Sequence, residues 1–144
     1  MSDPRDRVEF EGIGERRATF KIDGVTITYD PTKAGGAAST MINKAVTLSA
    51  DDTVALAADG DAVVGKLISV ESDTKGVVQV EGFCDLPAGA SASVTRGLKI
   101  VGALGASSAK GYIREAASGT AAELNKGRGR IIRNATTTAV VVQL

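Results

Sequence analysis

Short stretches rich in β-branched residues alternate with turns of Gly, Asp and Ser along most of the chain. Residues 19–29 predict a hairpin, because Asp23-Gly24 between alternating β-forming residues is typical of a type I′ turn. Further strands are predicted at residues 45–48, 54–57, 62–71, 77–83, 98–101, 111–115, 130–133 and 139–144. Short strands at this spacing, each followed by a turn, favour a barrel or a sandwich.

Two 16-residue segments, 65–80 and 129–144, have nearly the same sequence. Each runs from a strand that begins with Gly through a polar turn into a Val-Val-Gln strand, so each predicts a β-hairpin. We expect the final strand to be buried. Because Val, Gly and Thr are abundant, the likeness also fits two strands of similar exposure without a duplication. The identical pairs are Gly65/Gly129, Ile68/Ile132, Thr74/Thr138, Val77/Val141, Val78/Val142 and Gln79/Gln143.

One short helix is predicted at residues 120–126. Thr120 can cap its N-terminus, Glu123 three residues later would complete a capping box, and Gly127 would end it. Residues 33–43 are rich in Ala, Gly, Ser and Thr and predict a loop. The predicted fold class is therefore mainly β, a compact barrel with one short helix.

Composition narrows the class of protein further. The chain has 144 residues, which suits one domain with a core of its own. Hydrophobic residues are 43% of the chain and aromatic residues only 3%, so Ala, Val, Ile and Leu must build that core. The net charge is +0, which argues against a nucleic-acid binder or a polybasic membrane binder. No apolar run is long enough for a membrane span or a signal-peptide core, so we expect synthesis and use without secretion.

Residues able to carry chemistry are sparse. Histidine is absent, which removes the commonest general base and the commonest metal ligand. Cys84 stands beside apolar residues, so we expect a buried and inert thiol. Asp51-Asp52 and Asp59-Gly60-Asp61 are the densest carboxylate pairs of the body, and we favour turn chemistry over cation binding for both. We predict no catalytic residue, no metal and no cofactor.

A local basic cluster, Lys126-Gly127-Arg128-Gly129-Arg130 followed by Arg133, contains no acidic residue. A solvated turn is the first interpretation, contact with an acidic partner the second, and contact with nucleic acid the third. No aromatic residue is interleaved with these cations, as stacking of single-stranded bases would need. We therefore predict no nucleic-acid partner.

Residues 1–17 differ from the rest of the chain because they are densely charged and hold few large apolar side chains. Such a segment buries too little apolar surface to fold alone. Val8-Glu9-Phe10-Glu11 alternates apolar and acidic residues, which suits an edge strand formed on contact with a partner. We predict a flexible, extended N-terminal arm at residues 1–17 and a β-rich body at residues 18–144.

The body resembles the small capsid decoration (cement) proteins of tailed bacteriophages, the lambda-type group with the β-tulip fold. The likeness covers about residues 45–144 and lies in layout, because none of its motifs is diagnostic alone. Those motifs are Asp59-Gly60-Asp61-Ala62-Val63-Val64-Gly65 before a Val-rich strand, Leu86-Pro87-Ala88-Gly89, Gly111-Tyr112-Ile113-Arg114 and Thr137-Thr138-Ala139-Val140-Val141-Val142.

The resemblance implies a β-rich body, often trimeric, that sits on the outer surface of the expanded head at threefold and quasi-threefold positions. It implies the major capsid protein as partner, a homotrimer, and an N-terminal arm that lies along the capsid protein. It also implies a virion location after synthesis in the host cytoplasm, and no membrane. The hypothesised capsid-contact residues are Val8, Phe10 and Ile13 as apolar contacts and Arg5, Arg7, Arg16 and Arg17 as ionic partners.

Two other classes of protein remain open. One is a different phage structural component, such as a head-fibre base or a tail-tube protein, which usually assembles as a ring. The other is a small β enzyme or a carbohydrate-binding module. The absence of His and Trp and the scarcity of aromatic residues argue against this second class.

Overall fold

The computed structural model describes residues 13–134 and 139–144 and confirms a mainly β fold with one short α-helix and a closed five-stranded barrel. Most predicted strands are present, within a few residues of their predicted bounds. The elements are β1 (Arg16–Ile22), β2 (Ala45–Ala50), β3 (Thr53–Leu56), β4 (Gly65–Val70), β5 (Lys75–Glu81), β6 (Phe83–Leu86), β7 (Ile100–Ala103), β8 (Tyr112–Glu115), α1 (Ala121–Lys126), β9 (Arg130–Arg133) and β10 (Val140–Gln143).

Strands β1–β5 form the closed barrel, in the order β1-β3-β2-β4-β5. β1 closes it, because β1 pairs antiparallel with β5 on one side and parallel with β3 on the other. Inward positions alternate with outward ones along each strand, as the pleat of a β-strand requires. The inward positions are aliphatic, including Ile22, Val46, Val54, Leu67 and Val78.

Strands β6–β10 form two smaller sheets, one in the order β6-β10-β9 and one containing β7 and β8. Isolated bridges join these sheets on both sides. Ala88, just after β6, pairs parallel with Ile113 of β8, and Ile100 of β7 pairs antiparallel with Arg128, just before β9. The five strands therefore surround a second core, which forms a second and looser barrel.

The two barrels have the same topology. β6 pairs with β10 as β1 pairs with β5, β7 with β8 as β2 with β3, and β9 with β10 as β4 with β5, all antiparallel. The two isolated bridges repeat the parallel β1–β3 contact and the antiparallel β2–β4 contact. The chain is thus a tandem structural repeat, and the likeness of residues 65–80 and 129–144 reflects a repeat rather than two strands of similar exposure.

The register of the repeat agrees residue by residue in the two hairpins. Lys66 faces Gln79 in the first hairpin, and Arg130 faces Gln143 in the second. Each hairpin also skips one residue of its first strand, Ile68 in β4 and Ile132 in β9. We call residues at matching register positions counterparts. The matching core counterparts are Ile22/Ala88, Val46/Ile100, Val54/Ile113, Leu67/Ile131 and Val78/Val142.

Backbone hydrogen bonds outside the strands follow the same correspondence. Val64 N donates to Val46 O at 2.8 Å, and its counterpart Arg128 N donates to Ile100 O at 3.1 Å. The connections between strands differ in length. The first repeat has a long β1–β2 connection, whereas the second has longer β7–β8 and β8–β9 connections, the latter containing α1.

The hairpin predicted at residues 19–29 is wrong, because no strand lies in residues 23–44 and β1 pairs with β3 and β5 instead. The Asp23 carboxylate accepts hydrogen bonds from the backbone N–H groups of Thr26 and Ile27, both at 3.0 Å. An aspartate that bonds the following backbone offers that backbone an alternative to a strand ladder. The backbone after Asp23 therefore forms a local turn around the Asp23 side chain and does not run back along β1 as a second strand.

The capping box predicted for α1 is also wrong. Thr120 occupies the N-cap position but its side chain makes no capping hydrogen bond. Glu123 cannot complete the box, because its carboxylate accepts from Arg114 and from the Ala117 N–H instead. Gly127 does end the helix, with its N–H donating to Glu123 O at 2.7 Å.

The hairpin glycines give a test of the repeat. A Cβ on Gly65 would lie 2.0 Å from Gln79 O, and one on Gly129 would lie 2.2 Å from its counterpart, Gln143 O. We expect Gly65→Ala and Gly129→Ala each to lower the free energy of unfolding by about 2 kcal/mol or more, because backbone must move aside. Gly119→Ala is the control, since a Cβ there meets nothing within 4 Å. Urea titrations of the three variants measure the difference, and equal midpoints would contradict the close approach.

Candidate interaction surfaces

The two barrels meet along a seam that buries charged and polar side chains of the first barrel. Lys66 of β4 and Gln79 of β5 are the buried polar residues among those described. Lys66 Nζ lies 2.7 Å from Asp85 Oδ1 of β6, and its side chain is only 11% exposed. The hydrogen bond from Lys66 lowers the pKa of Asp85 below its usual value. A cation buried in this way needs its carboxylate partner, so the pair ties the second barrel to the first.

Arg128 adds a second tie across the seam. Its guanidinium donates to the backbone carbonyls of Val64 and Val80, at the open end of the first hairpin. Gln79 Nε2 donates across the seam to Phe83 O at 3.3 Å. One member of the predicted basic cluster therefore faces inward and holds the fold together.

Backbone groups complete the seam where the barrels approach most closely. Gly102 of β7 accepts from Gly60 N at 2.9 Å and donates to Asp61 O at 2.8 Å. A Cβ on Gly102 would lie 2.3 Å from Ala58 O, so this approach requires glycine. Lys44 Nζ lies over the Tyr112 ring, 4.7 Å from its centroid, and adds a cation–π contact.

The chain enters the body beside this seam. Phe83 N donates to Ile13 O at 3.2 Å, immediately before β1 begins. Gly82, with φ of +96°, lies against the same segment, and a Cβ on it would be 2.8 Å from Ile13 O and from Glu15 N. The first described residues are thus held between the end of β5 and the start of β6.

The structure separates the predicted capsid-contact residues into two groups. Arg5, Arg7, Val8 and Phe10 lie outside the described residues. Ile13 is 56% exposed at the entry point, whereas Arg16 and Arg17 belong to β1. The predicted boundary between arm and body at residue 18 therefore falls inside a strand, since β1 begins at Arg16. Arg16 pairs with Glu81 at 3.4 Å, and Arg17 pairs with Glu15.

An open cleft of about 520 Å³ lies between the β3–β4 connection of the first barrel and the second barrel, lined by residues that include Arg114, Asp59 and Ser93. Arg114 Nε donates to Asp59 Oδ1 at 3.0 Å, and its two terminal nitrogens grip the Glu123 carboxylate. The hydrogen bonds from Arg114 lower the pKa of Glu123 to about 2. The guanidinium is thus neutralised within the chain, and it fixes α1 to β8.

The other candidate residues take structural positions. Asp61 Oδ2 accepts from the Ala58 N–H at 2.9 Å, which is turn chemistry. Within residues 13–134 and 139–144, no group of three or more His, Cys, Asp or Glu side chains could hold a metal ion. Cys84 is buried as predicted, and burial raises the pKa of its thiol to about 12. No helix in the described part of the chain is long and apolar enough to cross a membrane.

Comparison of this chain with protein-family models, curated proteins and solved structures finds no match in any of the three.

Sequence reasoning missed the seam. Lys66 and Gln79 carry the same residue types as exposed positions elsewhere, so composition does not reveal their burial. The only signal was the conservation of Gly and Gln within the chain's own repeat, at Gly65/Gly129 and Gln79/Gln143. These matching residues indicate that the two hairpins share a geometry, but they do not indicate which of the two hairpins is buried.

The seam pair predicts a pH-dependent difference between Lys66→Met and its counterpart control Arg130→Met. Because the folded-state pKa of Asp85 is lowered, its contribution to stability is present above about pH 4 and is lost as pH falls through the folded pKa. Because the Asp85 side chain is 47% exposed and solvent screens the pair, we expect Lys66→Met to lower the free energy of unfolding at pH 7 by only about 1 kcal/mol and to weaken this acid dependence. Arg130 is exposed, so Arg130→Met should stay within about 0.5 kcal/mol of wild type.

Urea titrations at a series of pH values from neutral downward measure both effects. Identical acid dependence in wild type and Lys66→Met would contradict the role of the pair.

Proposed function

We propose that this chain is a non-enzymatic structural protein of a tailed phage that binds the outside of the mature head and stabilises it by bridging capsid subunits. It acts as a trimer at threefold and quasi-threefold sites, with the major capsid protein as partner. The observation that carries the proposal is the junction between the charged N-terminal segment and the double barrel.

The junction suits a protein that must carry load. The segment that precedes β1 leads directly into a strand that is hydrogen-bonded on both sides, to β5 and to β3. Its entry point is held by Phe83 N and packed against Gly82, at the seam between the barrels. Tension applied to residues 1–12 would therefore pass into both barrels rather than into a free loop.

Binding by such a segment is multivalent. Each copy contributes strand-type backbone contacts, which need little side-chain specificity, together with ionic contacts from its arginines. Linking three segments through a trimer makes the second and third contacts intramolecular. The overall affinity can then exceed that of one segment by roughly 10²-fold or more.

Removing residues 1–12 tests the proposal. The truncation ends before the first described residue, so it spares Arg16 and Arg17 of β1, which a truncation at residue 17 would delete. We expect the truncated protein to keep the melting temperature of the full chain and to lose binding to expanded heads of the phage that encodes it. Cosedimentation with purified heads measures binding, and electron microscopy locates the bound protein.

A point variant refines the test at the entry. Ile13→Asp places a charge at a side chain that is 56% exposed, so it should weaken head binding about tenfold with little effect on folding. Val25→Asp is the matched control, because Val25 is 81% exposed and lies beyond the opposite end of β1. Undiminished binding of the truncated protein, or density only at the tail, would overturn the proposal.

A further inference from the structure

Each barrel contributes one face to the seam. Because the barrels repeat the same topology, each of these faces has a matching face on the other barrel, and that matching face is exposed. On the first barrel the seam covers Lys66, Gln79 and Lys44. Their counterparts on the second barrel are Arg130, Gln143 and Leu98, all of which are exposed. We call this set, together with the neighbouring Lys99, the leading face.

The second barrel shows the converse. Its seam residues Phe83, Asp85, Gly102 and Gly111 contact the first barrel. Their counterparts on the first barrel are exposed, and we call them the trailing face. The trailing face consists of Arg17, Thr19, Leu48 and Asp52.

We infer that the leading face of one copy binds the trailing face of another copy of this chain, in the manner in which its own two barrels bind each other. The contact would be head-to-tail, because the two faces differ and lie on different barrels. A contact of this type forms a ring if its rotation closes and a filament if it does not.

Exposed apolar side chains mark both faces. Leu98 on the leading face is 42% exposed and Leu48 on the trailing face is 53% exposed. Their counterparts inside the chain, Lys44 and Gly102, both contact the other barrel in the seam. Two large apolar residues thus stand at the outer positions that correspond to a covered interface, where a partner would remove them from water.

Charges of opposite sign stand on the two faces. Arg130 and Lys99 lie on the leading face, and the exposed Asp51-Asp52 turn lies on the trailing face, where Arg17 is already paired with Glu15. In the seam, Ala45 N donates to Gly111 O, and the counterparts of these two residues are Lys99 and Asp52. Docking in the same arrangement would therefore bring a lysine opposite an aspartate. Opposite charges fix the register of an interface and speed association.

The backbones of two copies cannot approach each other as closely as the backbones of the two barrels do in the seam. Leu48 and Asp52 stand where the seam has Gly102 and Gly111, and these larger side chains prevent the backbone approach that glycine allows. α1 also lies in the β8–β9 connection next to the leading face. The copies would therefore meet through side chains, and the interface would be reversible where the seam is permanent.

This inference deepens the proposed trimer by naming its contact, and it rests on the proposed function only for the number of copies. It also gives a role to the exposed Arg130 of the basic cluster, which would lie against the face that carries the Asp51-Asp52 turn.

The seam pair Lys66–Asp85 supplies the test, because its counterparts across the proposed contact are Arg130 and Thr19. Thr19→Asp recreates the pair between copies, so we expect self-association to tighten by about tenfold at low salt. Thr19→Lys should weaken self-association by about tenfold, and adding Arg130→Asp to Thr19→Lys should restore it. Val25→Lys is the control, since Val25 is 81% exposed and belongs to neither face.

Sedimentation velocity of the full-length protein over a range of concentrations measures the association constants, and melting temperatures verify folding. Tightening by Thr19→Asp together with rescue in the double variant would support the contact. A wild type that stays monomeric at its highest soluble concentration, or variants that all associate equally, would overturn it. Head binding is assayed separately. A protein that stays monomeric but binds heads would contradict only the contact between copies. A protein that self-associates but does not bind heads would contradict only the proposed function.

Discussion

Burial of Lys66 and Gln79 is the constraint on which the rest of the molecule depends. A cation and an amide lie under the second barrel, and neither can stay there without partners from that barrel. Asp85, the Phe83 carbonyl and the fork of Arg128 onto Val64 and Val80 supply the hydrogen bonds of this seam. The two barrels pack as one unit in which the buried polar groups of the seam have partners across it, and removing one partner would leave the other buried and unpaired.

The tandem repeat explains why the two halves of the chain behave differently despite their common topology. Core counterparts are buried in both barrels, but at the seam one member of a pair is covered and the other faces solvent, as Lys66 and Arg130 show. The proposed capsid contact is made by the N-terminal segment, which joins the body beside the seam. The proposed contact between copies is made by the leading and trailing faces, which the seam does not cover.

Much of the fold could be predicted because its signals are local. The Gly-initiated Val-rich hairpins gave β4, β5, β9 and β10 within three residues of their bounds, and Gly127 marked the end of α1. The failures occurred where a side chain bonded a partner other than the one that the turn or cap pattern predicts. Asp23 bonded its own following backbone and removed a predicted hairpin, and Glu123 bonded Arg114 instead of capping the helix. Of the predicted contact residues, the sequence could not reveal that Arg16 and Arg17 join β1, because their strand partners lie about sixty residues away.

The sequence by itself determined the strand class, the aliphatic core, the inert thiol and the likeness of the two hairpins. These properties follow from side-chain size, period-two patterning and turn chemistry, which act over a few residues. Only the tertiary structure decided that the described part of the chain is a repeat of two barrels, and which copy of each repeated seam residue is covered. Lys66 and Arg130 are nearly the same residue in nearly the same local sequence, and burial is a property of what packs against them.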